Sequence, residues 1–416
     1  ITTLADVAKY SSSLTFDQGV LPNDTRPTIR GLNISRGRPN VGILIDGIDV
    51  SSETLTVAGG GAFANLSLLD LERVEVIKGP QSVTYGRSAF AGAVNYITKR
   101  PVADQGVYGY LEGEYDEHGF WKGLGNVSFP LGESLAMGIT GLTSEFDGHY
   151  ENPNTGGDLG GLEQNGISVA FNYAGDGDFA AYFRTEYVKE EYTPRAVVMS
   201  PSVVNVPRND GDFFLLGSLP EDGRVVAIPG GAFGQPEPAQ AECEAAPAAW
   251  RHLVGQTPAC GTMLYGNVGD GIGESDIDAS PNPNTGKDFD GTEIENLRLS
   301  LELDWQVGEV QILSLTGYSE NETTVEEDFD NTNFDLDTWG PFSAGIAPGY
   351  IGPPEAAYTQ FGVNTNSDTS FDYDQISQEF RFLGVVGDLE WMADLLYWKE
   401  DMDAVMNQLW WARETM

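Results

Sequence analysis

His118, His149 and His252 are the only histidines, each isolated in the sequence, and neither an HExxH nor a CxxC motif occurs. The paired imidazoles of a zinc hydrolase and the paired thiols of a redox centre are therefore missing as motifs. Gly59-Gly60-Gly61 lacks the context of a phosphate-binding loop. These residues point away from an enzyme. Cys243 and Cys260, with 16 residues between them, lie in a stretch rich in Pro, Gly and Ala that reads as a loop. A disulfide between them would be worth about 3 kcal/mol in the chain-entropy model and would imply an oxidising compartment, with free thiols as the other reading.

Charge narrows the partners. Against 22 Lys plus Arg stand 63 Asp plus Glu, a net −41 that argues against nucleic acid, because phosphate binding needs a basic face. The acid is not uniform: residues 1–101 hold 9 acidic and 10 basic side chains, and the rest of the chain carries essentially all of the excess. At 40% hydrophobic residues there is material for a large core. No apolar run reaches the roughly 18 residues of a spanning helix, which leaves a membrane β-barrel open because barrel strands alternate. Ile1 follows no basic and apolar leader, so any targeting signal is expected outside this chain.

The elements that would position chemistry fall into two textures. Residues 1–102 read as a small α+β domain. Thr3 and Asp6 suggest a capping box for a helix over 4–10. Val41 to Ile45 and Ile48 to Val50 flank Asp46-Gly47, the signature of a type I′ hairpin, and 74–77 and 93–98 are further strands. From about 107 onward, period-two segments are expected at 107–116, 119–129, 134–145, 165–174, 178–190, 293–305, 309–322, 374–384 and 388–401. Leu297, Leu299, Leu301, Leu303 and Trp305 oppose Asn296, Arg298, Ser300, Glu302 and Asp304, an apolar wall against a wet lumen. A soluble sandwich would also alternate. The connections discriminate better: short links alternate with long ones at 146–164, 191–292 and 323–373, the pattern of outer-membrane barrels with short periplasmic turns and long external loops.

Four blocks then carry a family resemblance. Arg26 to Gly31, Val41 to Ile48, Leu71 to Arg87 (LERVEVIKGPQSVTYGR) and Ala91 to Lys99 (AGAVNYITK) closely resemble, in order and spacing, the plug of TonB-dependent outer-membrane receptors. Ile376 to Phe382 (ISQEFRF) resembles a barrel-strand motif of the same family. The resemblance implies an α+β plug (1–102) inside an antiparallel transmembrane β-barrel of 22 strands, of which 103–416 is the N-terminal part. It also implies residence in the outer membrane of a Gram-negative bacterium, among lipid and lipopolysaccharide. The implied function is active import of a small-molecule ligand, energised by a TonB–ExbB–ExbD complex. No TonB box is visible ahead of Ile1, and nine strands would leave sheet edges that lipid cannot satisfy, so the chain is expected to be part of a longer receptor.

Within that frame, Arg30 and Arg87 are expected to lock the plug to the wall through carboxylates such as Glu302 and Glu379, with ordinary surface arginines as the alternative. Asn33, Arg36, Arg38 and Tyr85, in loops expected to face outside, are the candidate ligand contacts. Arginine forks suit a carboxylate- or catecholate-bearing iron chelate, which is the first substrate class on family frequency; oligosaccharide, cobalamin or another nutrient stays open. A non-transporting structural or adhesive barrel is the reading of another class. No cofactor is required, although the cargo would carry iron if it is such a chelate. The outer ends of the sixth and seventh segments should be neighbours, bringing Asp288, Asp290 and Glu293 near Glu326, Glu327, Asp328 and Asp330, either as a structural calcium site or as a solvated acidic face. Trp391, Trp398, Trp410 and Trp411 are expected in an interfacial girdle.

Overall fold

The computed structural model describes residues 7–8, 11, 13–18, 25–32, 39–52, 69–175, 177–197, 203–204, 215–218, 225–228, 263–264, 277, 279–328, 338–339 and 360–414. In the plug, β1 (Leu14–Gln18) pairs with β2 (Thr25–Ile29), and β3 (Val41–Ile45), β4 (Ile48–Asp49), β5 (Leu71–Lys78) and β6 (Gly92–Thr98) form a mixed sheet in the order β4-β3-β6-β5, with α1 (Ser82–Tyr85) between β5 and β6. The expected hairpin is present: Ile45 faces Ile48 across Asp46 (φ 51) and Gly47 (φ 82), the two positive values a type I′ turn demands. At the start of β6, Gly92 (φ 151) passes so close to β5 that a Cβ would lie 2.3 Å from the Ile77 carbonyl oxygen, which leaves no room for a side chain. Of the expected N-terminal helix, Val7 and Ala8 are helical, and its capping box lies outside the described residues.

The rest is a wall. Among the described residues, nine long antiparallel strands follow in chain order: β7 (Tyr108–Tyr115), β8 (Trp121–Pro130), β9 (Leu135–Phe146), β12 (Leu162–Ala174), β13 (Phe179–Tyr192), β18 (Gly291–Val307), β19 (Val310–Asp328), β21 (Gln360–Val386) and β22 (Leu389–Glu414). The connections contain the short strands β10 (Tyr150–Glu151), β11 (Asp158–Leu159), β14 (Val203–Val204), β15 (Leu215–Ser218), β16 (Val225–Ile228), β17 (Met263–Leu264) and β20 (Thr338–Trp339). Each expected segment coincides with a strand, but the later ones run further than their sequence texture suggested. β19 has 19 residues and β21 has 27, far more than the roughly 9–11 that cross a bilayer. Beyond the apolar band the outward face turns polar (Glu322, Thr324, Asp372), so the apolar exterior ends while backbone pairing continues, as from Asn321↔Tyr373 to Asp328↔Asn366.

Burial along the wall is inverted relative to a soluble protein. Ser168 and Arg298 face inward and are buried, whereas Ile167, Leu111 and Leu395 on the other face are exposed. An apolar exterior over a polar interior is what a lipid-facing barrel requires. The plug's core is not closed within the plug: Val41, Ile43, Ile45, Val94 and Tyr96 share one cluster with Val325, Phe371 and Tyr373 of the wall. No helix among the described residues is long and apolar enough to cross a membrane, which says nothing about crossing by strands.

Candidate functional site

The chemistry of this chain is concentrated where the plug meets the wall, at three contacts. The first is built on Leu69-Asp70, immediately before β5. Leu69 is fully buried with Leu142 and Val188, and Gly166 makes the socket possible, because a Cβ there would stand 3.0 Å from the Leu69 side chain. The Leu69 N–H donates to Glu186 Oε2 (3.3 Å), and Arg184 Nη2 donates to the Leu69 carbonyl (2.6 Å). Glu186 is itself held by Arg184 and Arg298, so one buried carboxylate serves two guanidiniums and a plug amide. Asp70 follows with φ 64. It accepts from Tyr110 Oη (2.5 Å), Asn126 Nδ2 (2.9 Å) and Thr140 Oγ1 (3.0 Å), and lies 3.3 Å from Lys99 Nζ. Beside it, Asp70, Lys99, Arg100, Tyr108, Tyr110 and Arg184 contribute to the lining of a cavity of about 200 Å³.

The second contact lies at the end of β6. Asp46, in the I′ turn, accepts from the Thr98 N–H (2.9 Å) and hydroxyl (2.7 Å), while Tyr182 Oη lies 2.9 Å from the same hydroxyl. Burial raises the Asp46 carboxyl above the ordinary range, and the Thr98 bonds oppose that rise. Arg100 then forks onto Glu302, at 3.1 Å and 2.8 Å, and lies over the Tyr182 ring.

The third contact is Arg87. Its Nη2 donates to the Ser51 carbonyl (2.5 Å), its Nε lies 3.1 Å from Asp49 Oδ2, its Nη1 lies 3.7 Å from Glu400 Oε2, and its plane stacks 3.3 Å from the Trp398 ring centroid. Gln375 adds a bond to the Asp49 carbonyl (3.1 Å). Burial pushes Asp49 up to about 6, against the pull of Arg87 and the Ser51 bonds. A carboxylate whose folded pKa is raised above its unfolded value contributes stability below the unfolded value, and loses it as pH rises through the folded one. Plug stability should therefore decline as pH climbs from about 4 through about 6. Thermal melts of wild type and Asp49→Asn across that range test this: Asn should flatten the decline, and an unchanged slope would remove Asp49 as its source.

Several expected residues stand elsewhere. Glu302 does hold a plug-side arginine, but that arginine is Arg100; Arg30 is exposed in the turn after β2, with no ion pair to Glu302 or Glu379 among the described residues. Arg87 reaches Asp49 and Glu400, while Glu379 pairs with Arg381 on its own strand. Tyr85 packs against Leu44, Ala89 and Ala93 and borders a gap shared with Leu396 and Trp398, so it lies at the seam. Trp398 is not in a girdle: it shares its strand face with Glu400 and points at the plug, because one residue of register decides the face. Asn33, Arg36, Arg38, Cys243 and Cys260 lie outside the described residues, as does Asp330.

At the outer rim β18 and β19 are paired as expected, Gly291 facing Glu326, yet the carboxylates are dispersed onto separate donors. Asp288 accepts from Asn152 and Thr155, Glu293 pairs with Lys189, Glu326 accepts from Asn282, Glu327 pairs with Arg195, and Asp328 accepts from the Ser280 N–H. Asp290, Glu293 and Glu326 also border an open acidic cavity of about 540 Å³. Among the described residues no group of three or more His, Cys, Asp or Glu is placed to hold a metal ion.

A plug sheet bolted to the polar face of an antiparallel wall whose other face is apolar resembles the plug and barrel of TonB-dependent receptors. Residues 1–93 match the family model "TonB-dependent Receptor Plug Domain". The chain is 31% identical over 154 residues to the pesticin receptor of Yersinia pestis, covering 36% of this chain and 21% of that protein. It is 35% identical over 105 residues to the vitamin B12 transporter BtuB of Vibrio vulnificus, covering 25% of this chain and 16% of that protein. In fold it is similar to the ferric preacinetobactin receptor BauA of Acinetobacter baumannii, with a TM-score of 0.53, 14% identity, 96% of this chain and 45% of that one. It is likewise similar to the ferric yersiniabactin uptake receptor FyuA of Yersinia pestis, at 0.50 and 13%, with 97% and 59% covered. These matches span a minority of the curated relatives' own length.

Sequence reasoning missed Leu69, Asp70, Arg184 and Glu186. The Arg184-x-Glu186 spacing on the inward face of β13 was the available signal, since two opposite charges two residues apart on a strand share a face.

Proposed function

We propose that this chain is the plug and part of the barrel of an outer-membrane receptor that actively imports a small ligand. The observation that carries the reading is the plug itself. Its core is completed by wall residues and its edges are fastened through Leu69, Arg87 and Arg100, so passage through the lumen requires energy delivered to the plug. In this reading the TonB–ExbB–ExbD complex supplies that energy, and the exposed apolar face of the strands meets lipid, with lipopolysaccharide outside. An iron chelate is the proposed cargo: the structural neighbours named above are receptors for ferric chelates, and arginines 36 and 38 suit anionic chelators. The identity with a vitamin B12 transporter supports cobalamin as the second reading.

The test is uptake in the intact organism. Deletion of the gene should abolish transport of one radiolabelled ferric chelate, with expression rising on iron starvation and transport failing without ExbB–ExbD. Intact ferric uptake with loss of cobalamin transport would move the cargo to the second reading, and intact uptake of both would overturn both cargo readings.

A further inference from the structure

The loops following β9 and preceding β18 contain the same seven-residue pattern, Asn-Pro-Asn-Thr-Gly-x-Asp, at 152–158 and 282–288, each followed by a buried apolar residue, Leu159 or Phe289. The two copies fold identically. In each, the first Asn receives its Oδ1 bond from the N–H two residues on (Asn154, 3.1 Å; Asn284, 2.9 Å), and its carbonyl accepts from the Thr and Gly N–H groups. The Thr hydroxyl accepts from the N–H two residues on, at 3.3 Å in both. What differs is where the remaining side-chain groups go. Asn152 Nδ2 and Thr155 Oγ1 of the first turn grip Asp288 of the second, at 2.7 Å and 2.6 Å. Asn282 Nδ2 of the second turn grips Glu326 at the end of β19, at 2.9 Å.

We propose that Asp288 is a bolt that joins the loops at 147–161 and 279–290 into one rigid ledge fixed to the outer end of β19, so that these two loops cannot move separately when the receptor binds or releases cargo. Two further contacts run the same way: Asn154 Nδ2 to the Ala279 carbonyl (3.1 Å) and the Ser280 N–H to Asp328 (2.9 Å). The sixth position of the pattern carries the mark of the bolt. It is Gly157 in the first copy, where a Cβ would stand 1.8 Å from Asp288 Oδ2, and the exposed Lys287 in the second copy. The repeat has diverged at the position where one copy must admit the other's carboxylate. Asp288 is thus a positioning residue, its oxygens accepting bonds from an amide and a hydroxyl of the neighbouring loop.

Hydrogen exchange on the full-length receptor tests the coupling, since amide protection reports local opening. Asp288→Ala should accelerate exchange about tenfold or more in both 150–160 and 282–290, the scale of losing hydrogen bonds to a charged group, with β12 and β13 unchanged. Gly157→Ala should reproduce that paired effect by displacing Asp288, whereas Lys287→Ala should leave both loops as in wild type. Should Asp288→Ala lower the yield of folded receptor, Asp288→Asn reads the same coupling at smaller amplitude. Acceleration confined to one loop, or none in either, would overturn the proposal. The outcome is independent of which cargo is carried.

Discussion

Glu186→Gln is expected to unseat the plug more than any other single change. The substitution keeps shape and removes the buried charge that Arg184 and Arg298 share; breaking a buried pair by neutralising one partner costs about 3–5 kcal/mol. The same change loosens the plug main chain, because Glu186 accepts the Leu69 N–H and orients the guanidinium that holds the Leu69 carbonyl. By contrast, Arg100 and Glu302 are 37% and 21% exposed, so water screens their fork and Glu302→Gln should cost about 1 kcal/mol or less. Two readouts separate these cases: the melting temperature of the purified receptor and its conductance in planar bilayers. Glu186→Gln should lower the first and raise the second, Glu302→Gln should barely move either, and Glu186→Gln with Arg298→Met should recover part of the loss. Conductance and melting equal to wild type in Glu186→Gln would remove the Leu69 anchor from the account.

How much of this could be read from residues alone follows from what each feature depends on. The Asp46-Gly47 hairpin was legible because a I′ turn is decided by two adjacent residues. The wall was legible because lipid on one side and water on the other force period two, and strand ends were lost where that asymmetry stops, as between Glu320 and Asp328. The plug fastenings were only half legible. Glu302 could be selected as an inward carboxylate, but sign and face do not give distance, so Arg30 was as good a partner on paper as Arg100, which takes the position. Leu69 could not be singled out, since it reads as one more apolar residue among Leu66, Leu68 and Leu71, and its role is conferred by a socket more than 70 residues downstream. The repeated Asn-Pro-Asn-Thr-Gly turn was visible as letters, yet only the coordinates show that one copy holds the other.

Arg87→Ala should produce the second largest effect, and pH should identify its cause. The side chain joins Asp49, Ser51, Glu400 and Trp398, and its removal leaves two largely buried carboxylates without the cation between them. A loss of about 3 kcal/mol is expected, and Arg87→Lys should restore little of it, because an ammonium cannot lie flat on Trp398 while bonding to the Ser51 carbonyl. Asp49 already stands near 6 through burial, with Arg87 pulling it down, so without Arg87 its carboxyl should rise further. The variant should then leak most at pH 8, where the uncompensated charge is present, and approach wild-type conductance near pH 5, where protonation removes it. Trp398 fluorescence should change at both pH values, since the stacked guanidinium is gone in either case. A purely steric defect from the emptied volume would leak equally at pH 5 and pH 8. Restoration at low pH would instead mark the contact as an electrostatic latch, in which Arg87 supplies the positive charge that the ionised Asp49 needs above about pH 6.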